Sequence, residues 1–202
     1  MKLLKELSDF TYKQEDVTKN KNGKLIVKGI IQRADVLNAN GRVYPRHILE
    51  PKIEAYKELV RERRATGELD HADEAVVNLK NVSHVITDIY MDPDGTVYGE
   101  VEVLDNLPMG KILRGLIESE IKIGISSRAL GSVETSNEGD IVQDDLHFIC
   151  WDMVSEPSTG SAWMMRESRE YTKEEAKKII SKQQRVEFAI GQVLEFHKKI
   201  KG

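Results

Sequence analysis

Glycine-containing turn signals divide this chain into short segments of strand character, and they constrain its fold more than any other feature. The stretches "KNKNG", "NANG", "DPDG" and "SNEGD" group Asn, Asp and Gly as tight turns require. Around them lie five runs that are rich in β-branched or aromatic residues and partly alternate between apolar and polar positions. Such runs predict a mainly antiparallel sheet or barrel. They begin at Lys24, Val82, Thr96, Ile121 and Leu146.

Three further segments carry apolar residues at helical spacing. The first starts beside Pro45, although Pro51 makes its first turns uncertain because proline lacks a backbone donor. The third runs from Thr172 to the end of the chain and starts with a Thr-Lys-Glu-Glu sequence that resembles a capping box. On the second, "LPMGKILRGLIESE", one side carries Ile112, Leu113, Leu116 and Ile117. The chain is therefore expected to be α+β, with helices around the strands.

An apolar stripe marks the C-terminal segment, where Ile179, Val186, Val193 and Ile200 recur every seven residues. This pattern predicts an amphipathic helix over 171–202, after a domain that occupies 1–170. The helix could pack on its own domain or dock on another subunit or a larger assembly, and the sequence leaves both interpretations open.

Composition excludes several classes of protein. The 202 residues are 40% hydrophobic and 32% charged, which is typical of a soluble globular chain. A net charge of -4 provides no general attraction to nucleic acid, and no run is long enough to span a membrane. Cys150 is the single cysteine, which excludes an internal disulfide and a multi-cysteine zinc site.

Two adjacent serines end the alternating run "IKIGISS". Successive side chains of a strand point to opposite faces, so Ser127 shares the apolar face with Ile125, while Ser126 shares the other face with Gly124. A hydroxyl on that second face could meet a base. Periodicity therefore favours Ser126 over Ser127 if either serine is a nucleophile, although most strand serines are structural.

A serine nucleophile needs a base, and histidine is the usual one because it titrates near neutral pH. His71 lies in the acidic loop "ATGELDHADEA", after the long helical segment, where loops commonly carry functional groups. The positions of the other four histidines favour structural or surface roles. They are His47, His84, His147 and His197.

Asp152 is the candidate acidic residue that would complete a set with Ser126 and His71. In a regular strand it would share one face with Leu146, Phe148, Cys150 and Val154, which places a carboxylate on an otherwise apolar side. Such a group needs a partner, and a histidine Nδ1–H would serve while leaving Nε2 free to accept the serine proton. A carboxylate at the strand end that faces solvent is the alternative.

A metal site is a weaker alternative in the same loop. Glu68, Asp70, His71 and Asp73 offer ligand types, but the cluster is short and contains one histidine. "DPDG" lacks the rest of a calcium-loop pattern and predicts a hairpin turn. We therefore predict no metal and no cofactor.

Three motifs occur in a fixed order: "GELDHA" from Gly67, "GISSRALGS" from Gly124 and "WDMVSEPSTGSAW" from Trp151. Together they resemble the prohead core proteases of tailed phages, serine peptidases that mature the capsid. Upstream, "ADVLNANGRVYPRHIL" resembles the segment that precedes the first long helix of those enzymes. The similarity extends roughly over 25–163 and does not clearly include the C-terminal helix.

The resemblance implies a catalytic set of His71, Ser126 and Asp152, taken over motif by motif. The order His, Ser, Asp differs from the orders of chymotrypsin-like, subtilisin-like and α/β-hydrolase enzymes. It is similar to the His, Ser, His order of herpesvirus assemblin proteases, which implies a small β-barrel ringed by helices. One departure is Ala72, because proline often follows the family histidine.

The same resemblance implies an endopeptidase that acts through an acyl-enzyme on scaffold, core and major capsid proteins. It would work in the host cytoplasm, inside the assembling prohead, as a homo-oligomer that can be held as an inactive precursor, with no nucleic-acid or membrane partner. Candidate oxyanion donors are the loop over 158–161 and the peptide groups around Arg128. A non-catalytic core or scaffold component with the protease fold is the second hypothesis, and a metal-dependent hydrolase is the third.

Overall fold

The computed structural model describes residues 1–8, 17–20, 22–72, 74–137 and 139–155, together with 172, 174–175, 177–179 and 181. Two helices are named within these ranges, α1 (Arg46–Arg61) and α2 (Pro108–Glu118). The first six strands are β1 (Lys2–Ser8), β2 (Val17–Lys19), β3 (Leu25–Arg33), β4 (Arg42–Val43), β5 (Thr66–Glu68) and β6 (Val82–Met91). The remaining strands are β7 (Thr96–Val103), β8 (Ile123–Gly131), β9 (Val133–Ser136), β10 (Gly139–Val142) and β11 (His147–Ser155).

The strands form three sheets. Their orders are β2-β3-β7-β6-β5, β1-β8-β11 and β4-β10-β9, and all neighbours are antiparallel except β4 and β10. The α+β class with mainly antiparallel strands is confirmed. A closed barrel is not seen, because the strands of the described ranges separate into these three sheets instead of one ring.

All five predicted strand runs are present, as β3, β6, β7, β8 and β11. The predicted hairpin at "DPDG" joins β6 to β7, where Gly95 has a φ of 85° and its N–H donates to Asp92 O at 2.9 Å. Strand β1 was not predicted. Its sequence "KLLKELS" is rich in good helix formers, but it pairs along its whole length with β8. Tertiary pairing therefore decides its conformation.

The main core lies between the large sheet, α1 and one face of β8 and β11. Trp151 stands at its centre, with ring centroids 4.7 Å from Tyr56 of α1 and 4.5 Å from Phe148. Pro51 lies inside α1 without ending it, so the helix is continuous where the sequence left its start uncertain. On α2, Leu113 and Ile117 are buried as predicted. Ile112, however, is half exposed, so it lies outside the buried stripe.

Little of the C-terminal segment belongs to the described residues. Thr172 and Glu175 form the predicted capping box: Thr172 Oγ1 accepts from the Glu175 N–H, and the Glu175 carboxylate accepts from the Thr172 N–H. Ile179 packs on a second apolar cluster formed with Leu3 and Leu130. Val186, Val193, Ile200 and the boundary at 170 lie outside the described residues. In the parts of the chain that are described, no helix is both long and apolar enough to cross a membrane.

A buried carboxylate ties β1 to the loop between β3 and α1. Glu6 is 1% exposed, and Tyr44, also buried, donates its hydroxyl proton to it because burial and the Glu6 charge raise the pKa of the phenol. In register, Glu6 lies opposite Ser127 on β8. Four donors reach its oxygens at 2.7 to 2.8 Å: Asn38 Nδ2, Asn40 Nδ2, Arg42 Nη1 and Tyr44 OH. This network fastens β1 to the segment between β3 and α1, while strand pairing joins β1 to β8.

Glu6→Gln should lower the free energy of unfolding by about 2 to 3 kcal/mol. The substitution leaves the mostly buried Arg42 cation without its carboxylate and weakens charge-assisted hydrogen bonds. Urea unfolding followed by circular dichroism measures the change. The matched control is Glu50→Gln, because the Arg46–Glu50 pair is exposed and should contribute less than about 0.5 kcal/mol. Equal effects of the two substitutions would contradict the structural role of Glu6.

Candidate active site

The three sequence-predicted site residues lie together although they come from distant parts of the chain. Ser126 is in the middle of β8, the central strand of its sheet, and Asp152 of β11 is its direct cross-strand neighbour. Directly opposite residues point to the same face of a sheet, so the two side chains are adjacent. His71 follows β5 and reaches the same face from a separate loop.

A β-bulge sets the face on which Asp152 lies. The pairing of β11 with β8 shifts between Phe148 and Cys150, so Phe148 joins Trp151 in the main core while Cys150 and Asp152 point to the opposite face. The sequence-based expectation that Phe148 and Asp152 share one face was therefore wrong. An extra residue in the strand breaks the period of two on which that expectation rested.

The contacts within the three residues are short. His71 Nε2 lies 2.6 Å from Ser126 Oγ, and His71 Nδ1 lies 2.9 Å from Asp152 Oδ2. The Asp152 side chain is 0% exposed and that of His71 is 7% exposed. Ser126 is 1% exposed. The site is therefore shielded from water but open at the histidine edge.

The ionisation state of Asp152 determines which ring nitrogen of His71 carries the proton. Burial alone would raise the pKa of Asp152, but the His71 hydrogen bond and the Arg128 charge outweigh it and lower the pKa, so the carboxylate is ionised. An ionised carboxylate only accepts, so His71 Nδ1 carries the proton and donates it to Asp152. His71 Nε2 is then free to accept the hydroxyl proton of Ser126.

Backbone contacts aim the His71 loop. Leu69 pairs in parallel with Met153, and the Asp70 N–H donates to Met153 O at 2.9 Å, next to Asp152. Asp70 has a φ of 64°, a left-handed conformation that aspartate tolerates better than most residues. The turn at Asp70 directs the following residue back over β8. His71 is thereby placed between β11 and Ser126.

Gly67 allows the backbone of β5 to lie close to Trp151 and His84. A Cβ at this position would lie 2.0 Å from Trp151 O and 2.3 Å from His84 Nε2, so no other residue fits without displacing both. His84 is fully buried. Its Nε2–H donates to Trp151 O at 3.0 Å, and its Nδ1 accepts from the Ser83 hydroxyl at 2.8 Å. The structural role predicted for His84 agrees with these contacts.

Arg128 and Glu68 also belong to this site, and their roles were not predicted from the sequence. Both side chains are 0% exposed, and Arg128 Nη2 lies 2.6 Å from Glu68 Oε1. A signal existed, because Arg128 shares the alternating face of Ser126 inside an apolar run, where a buried cation needs carboxylate partners. Alternation alone could not name Glu68, which lies on another strand.

Two of the four alternative metal ligands of this loop, Glu68 and His71, are engaged with other side chains. Glu68 pairs with Arg128, and His71 contacts Asp152 and Ser126. Asp73 lies outside the described residues. Among the residues that are described, no group of three or more His, Cys, Asp or Glu side chains could hold a metal ion.

Serine hydrolases activate their nucleophile with a serine hydroxyl, an imidazole and a buried carboxylate that contact one another in this order in space. The same arrangement is present here. Comparisons with known proteins identify the family. Residues 5–184 match the family described as prohead core protein serine protease. The chain therefore belongs to the prohead core protein serine protease family, and this membership supports a protease of capsid maturation.

Two relatives agree with this assignment. The prohead core protein protease of Enterobacteria phage T4 is 35% identical over 145 residues, which cover 69% of this chain and 68% of that protein. The solved structure of the bacteriophage T4 capsid assembly protease matches with a TM-score of 0.70 and 31% identity. That match covers 77% of this chain and 98% of the T4 chain. The fold described above is thus shared with the T4 enzyme.

His84 should make stability depend on pH. Burial lowers the pKa of His84 to about 4, below its ordinary value of 6.5, so the unfolded chain binds its proton first. Stability is then full above about pH 6.5 and is lost as the pH falls toward about 4. Between about pH 7.5 and pH 5, His84 should account for about 2 kcal/mol of lost stability.

Urea unfolding of the wild type and of His84→Gln at both pH values measures this contribution. The variant should be less stable at neutral pH but lose less stability on acidification. An unchanged loss on acidification would show that His84 does not titrate in this window.

Proposed function

We propose that this chain is a serine endopeptidase that cleaves scaffold, core and capsid proteins inside the assembling phage prohead. Ser126 is the nucleophile, His71 is the general base and Asp152 orients the imidazole. The observation that carries the proposal is the pair of contacts on one imidazole ring, 2.6 Å to Ser126 Oγ and 2.9 Å to Asp152 Oδ2. Family membership supports the protease activity.

In the first step, Ser126 Oγ attacks the carbonyl carbon of the scissile peptide while His71 Nε2 takes its proton. His71 then returns this proton to the leaving amine, and the carbon–nitrogen bond breaks to give an acyl-enzyme. A water molecule, deprotonated by the same nitrogen, hydrolyses the ester and restores Ser126.

Asp152 supports each proton transfer without taking the proton itself. Its carboxylate is buried and ionised, so it holds the Nδ1–H tautomer of His71 and stabilises the imidazolium that forms during attack. Because the contact lies away from water, this stabilisation is larger than the same pair would provide on the surface.

The oxyanion of the tetrahedral intermediate needs hydrogen-bond donors. The peptide groups around Arg128 are poor candidates, because β8 is paired with β1 on one side and with β11 on the other. Backbone N–H groups in such a strand are directed to the neighbouring strands. This favours the other candidate, the loop over 158–161, which lies outside the described residues.

The substrate class, homo-oligomer formation and activation of a precursor during assembly are proposed on the basis of family membership. The division into a protease domain over 1–170 and a helical segment over 171–202 is part of the same proposal. The relatives support it in name: one is a prohead core protein protease and the other a capsid assembly protease.

Ser126→Ala should reduce cleavage of a co-expressed scaffold protein by at least about 10⁴-fold, since the attacking oxygen is removed. Gel analysis of assembled particles measures cleavage, because the enzyme is expected to act after assembly. The matched control is Ser127→Ala: this side chain is equally buried but faces away from His71, and its Oγ lies 3.5 Å from Gln32 Oε1. The control should retain most of the activity.

Activity in Ser126→Ala together with its loss in Ser127→Ala would reverse the assignment of the nucleophile. If wild-type particles that are fully assembled contain no cleaved scaffold protein, the chain is instead a non-catalytic core component. Sensitivity of cleavage to a chelator would favour the metal-dependent alternative.

A further inference from the structure

Besides the His71–Asp152 contact, the site contains a buried ion pair between Arg128 and Glu68. The Arg128 side chain is 0% exposed, and its Nη2 donates to Glu68 Oε1 at 2.6 Å and to Asp152 Oδ1 at 3.2 Å. Its Nε lies 2.7 Å from Asp152 Oδ2, a contact with the distance of an ion pair but without the direction of a hydrogen bond. One guanidinium therefore bridges two carboxylates.

The same pair reaches the loop that carries His71. Arg128 Nη1 donates to Glu74 O at 2.8 Å. Glu68 accepts from the Asn78 N–H at 2.9 Å and from Asn81 Nδ2 at 3.2 Å. The Glu68 N–H donates to Asp152 Oδ1 at 2.9 Å. Glu68 thus ties the start of this loop to β11 and binds its end, while Arg128 holds its middle.

The charges of Arg128 and Glu68 give this pair an electrostatic role in addition to positioning the loop. Asp152 and Glu68 carry two negative charges and Arg128 carries one positive charge, so this buried group has a net charge of minus one when His71 is neutral. Forming the imidazolium brings the total to zero. Without the Glu68 charge, Arg128 would cancel Asp152, and the imidazolium would form beside a group with no net charge. Charges are least favourable when they are buried without compensation.

Among the described residues, the other titratable groups near His71 do not change this balance. Cys150 donates weakly to Asp152 Oδ1 at 3.3 Å, and burial raises the pKa of its thiol, so it stays neutral. His84 is neutral because burial lowers the pKa of its imidazole to about 4. Asp70 is exposed, so its charge is screened by water. On β8, Ser126 is uncharged and Arg128 is already counted.

We propose that Glu68 is a positioning residue that neutralises Arg128, so that the full negative charge of Asp152 acts on the His71 imidazolium. The inference rests on the proposed function of Ser126, His71 and Asp152. Arg128 then has two linked tasks: it holds the Asp152 carboxylate and the His71 loop in place, while Glu68 prevents its charge from opposing proton uptake by His71.

The primary test is the pH profile of kcat/KM for Glu68→Gln, which keeps the shape of the side chain and removes its charge. The acid limb should move to lower pH by about one unit, because one charge at a distance of several ångströms has been removed from a partly shielded site. We expect kcat to fall about 10-fold while KM changes less than about twofold. Glu68→Asp keeps the charge and should restore the acid limb.

Two comparisons separate charge from structural damage. Glu6→Gln removes the charge of another buried carboxylate–arginine pair, on the face of the sheet that points away from Ser126, and should leave the acid limb unchanged. The double variant Glu68→Gln, Arg128→Met loses both charges and should return the limb toward its wild-type position, although the hydrogen bonds to the loop are lost. If Glu68→Gln does not fold, Arg128→Met alone is compared with the double variant, because the two differ only in the Glu68 charge. The acid limb of Arg128→Met should then lie at higher pH, and equal limbs would overturn the proposal.

An unshifted limb in Glu68→Gln, or a displaced limb in the double variant, would overturn the proposal. A separate readout does not need turnover: NMR titration of the His71 ring in full-length Ser126→Ala, with and without Glu68→Gln, should show the same displacement. If wild-type particles cleave nothing while this displacement is present, the proposed function fails and the charge balance stands. If serine-dependent cleavage is present without the displacement, the charge balance fails alone.

Discussion

The buried carboxylate of Asp152 is the group on which the arrangement of the site depends. A carboxylate that is 0% exposed must be compensated, and its partners come from separate parts of the fold. The Glu68 N–H comes from β5, Arg128 comes from β8 and His71 comes from the loop after β5. Satisfying Asp152 therefore also determines where His71 stands relative to Ser126.

Strand β8 can hold Ser126 in a fixed position because it is paired with a neighbouring strand on both sides. Strand β1 covers one edge along seven residue pairs, and β11 covers the other. Glu6 secures β1 through buried hydrogen bonds that include those from Arg42 and Tyr44. Ser126 is thus carried by a central strand, which is more rigid than a loop. The one loop-borne member, His71, is restrained by Asp70 and by the Arg128–Glu68 pair.

The sequence predicted the features that depend on local periodicity. Alternation placed Ser126 and Ser127 on opposite faces, as the structure does, and Asp152 contacts a histidine, the partner expected from its position. The face of Phe148 was wrong because a bulge depends on how two strands pair, which the period of one strand does not show. Strand β1 and the contact between Glu68 and Arg128, 60 residues apart, are likewise set by long-range packing. Such pairings leave little trace in a single sequence.

A buried arginine beside an aspartate that stabilises an imidazolium would normally weaken this stabilisation. Arg128 lowers the pKa of Asp152 and so keeps it ionised, but the same positive charge also repels the imidazolium that Asp152 must stabilise. In the proposed mechanism, Glu68 resolves this conflict: it lies 2.6 Å from Arg128 and compensates its charge, while the His71 contact of Asp152 stays intact. The arginine can then serve as a rigid multi-donor bridge between β5, β8, β11 and the His71 loop. Because the bridge and the charge balance use the same atoms, the position of the loop and the basicity of His71 are physically linked.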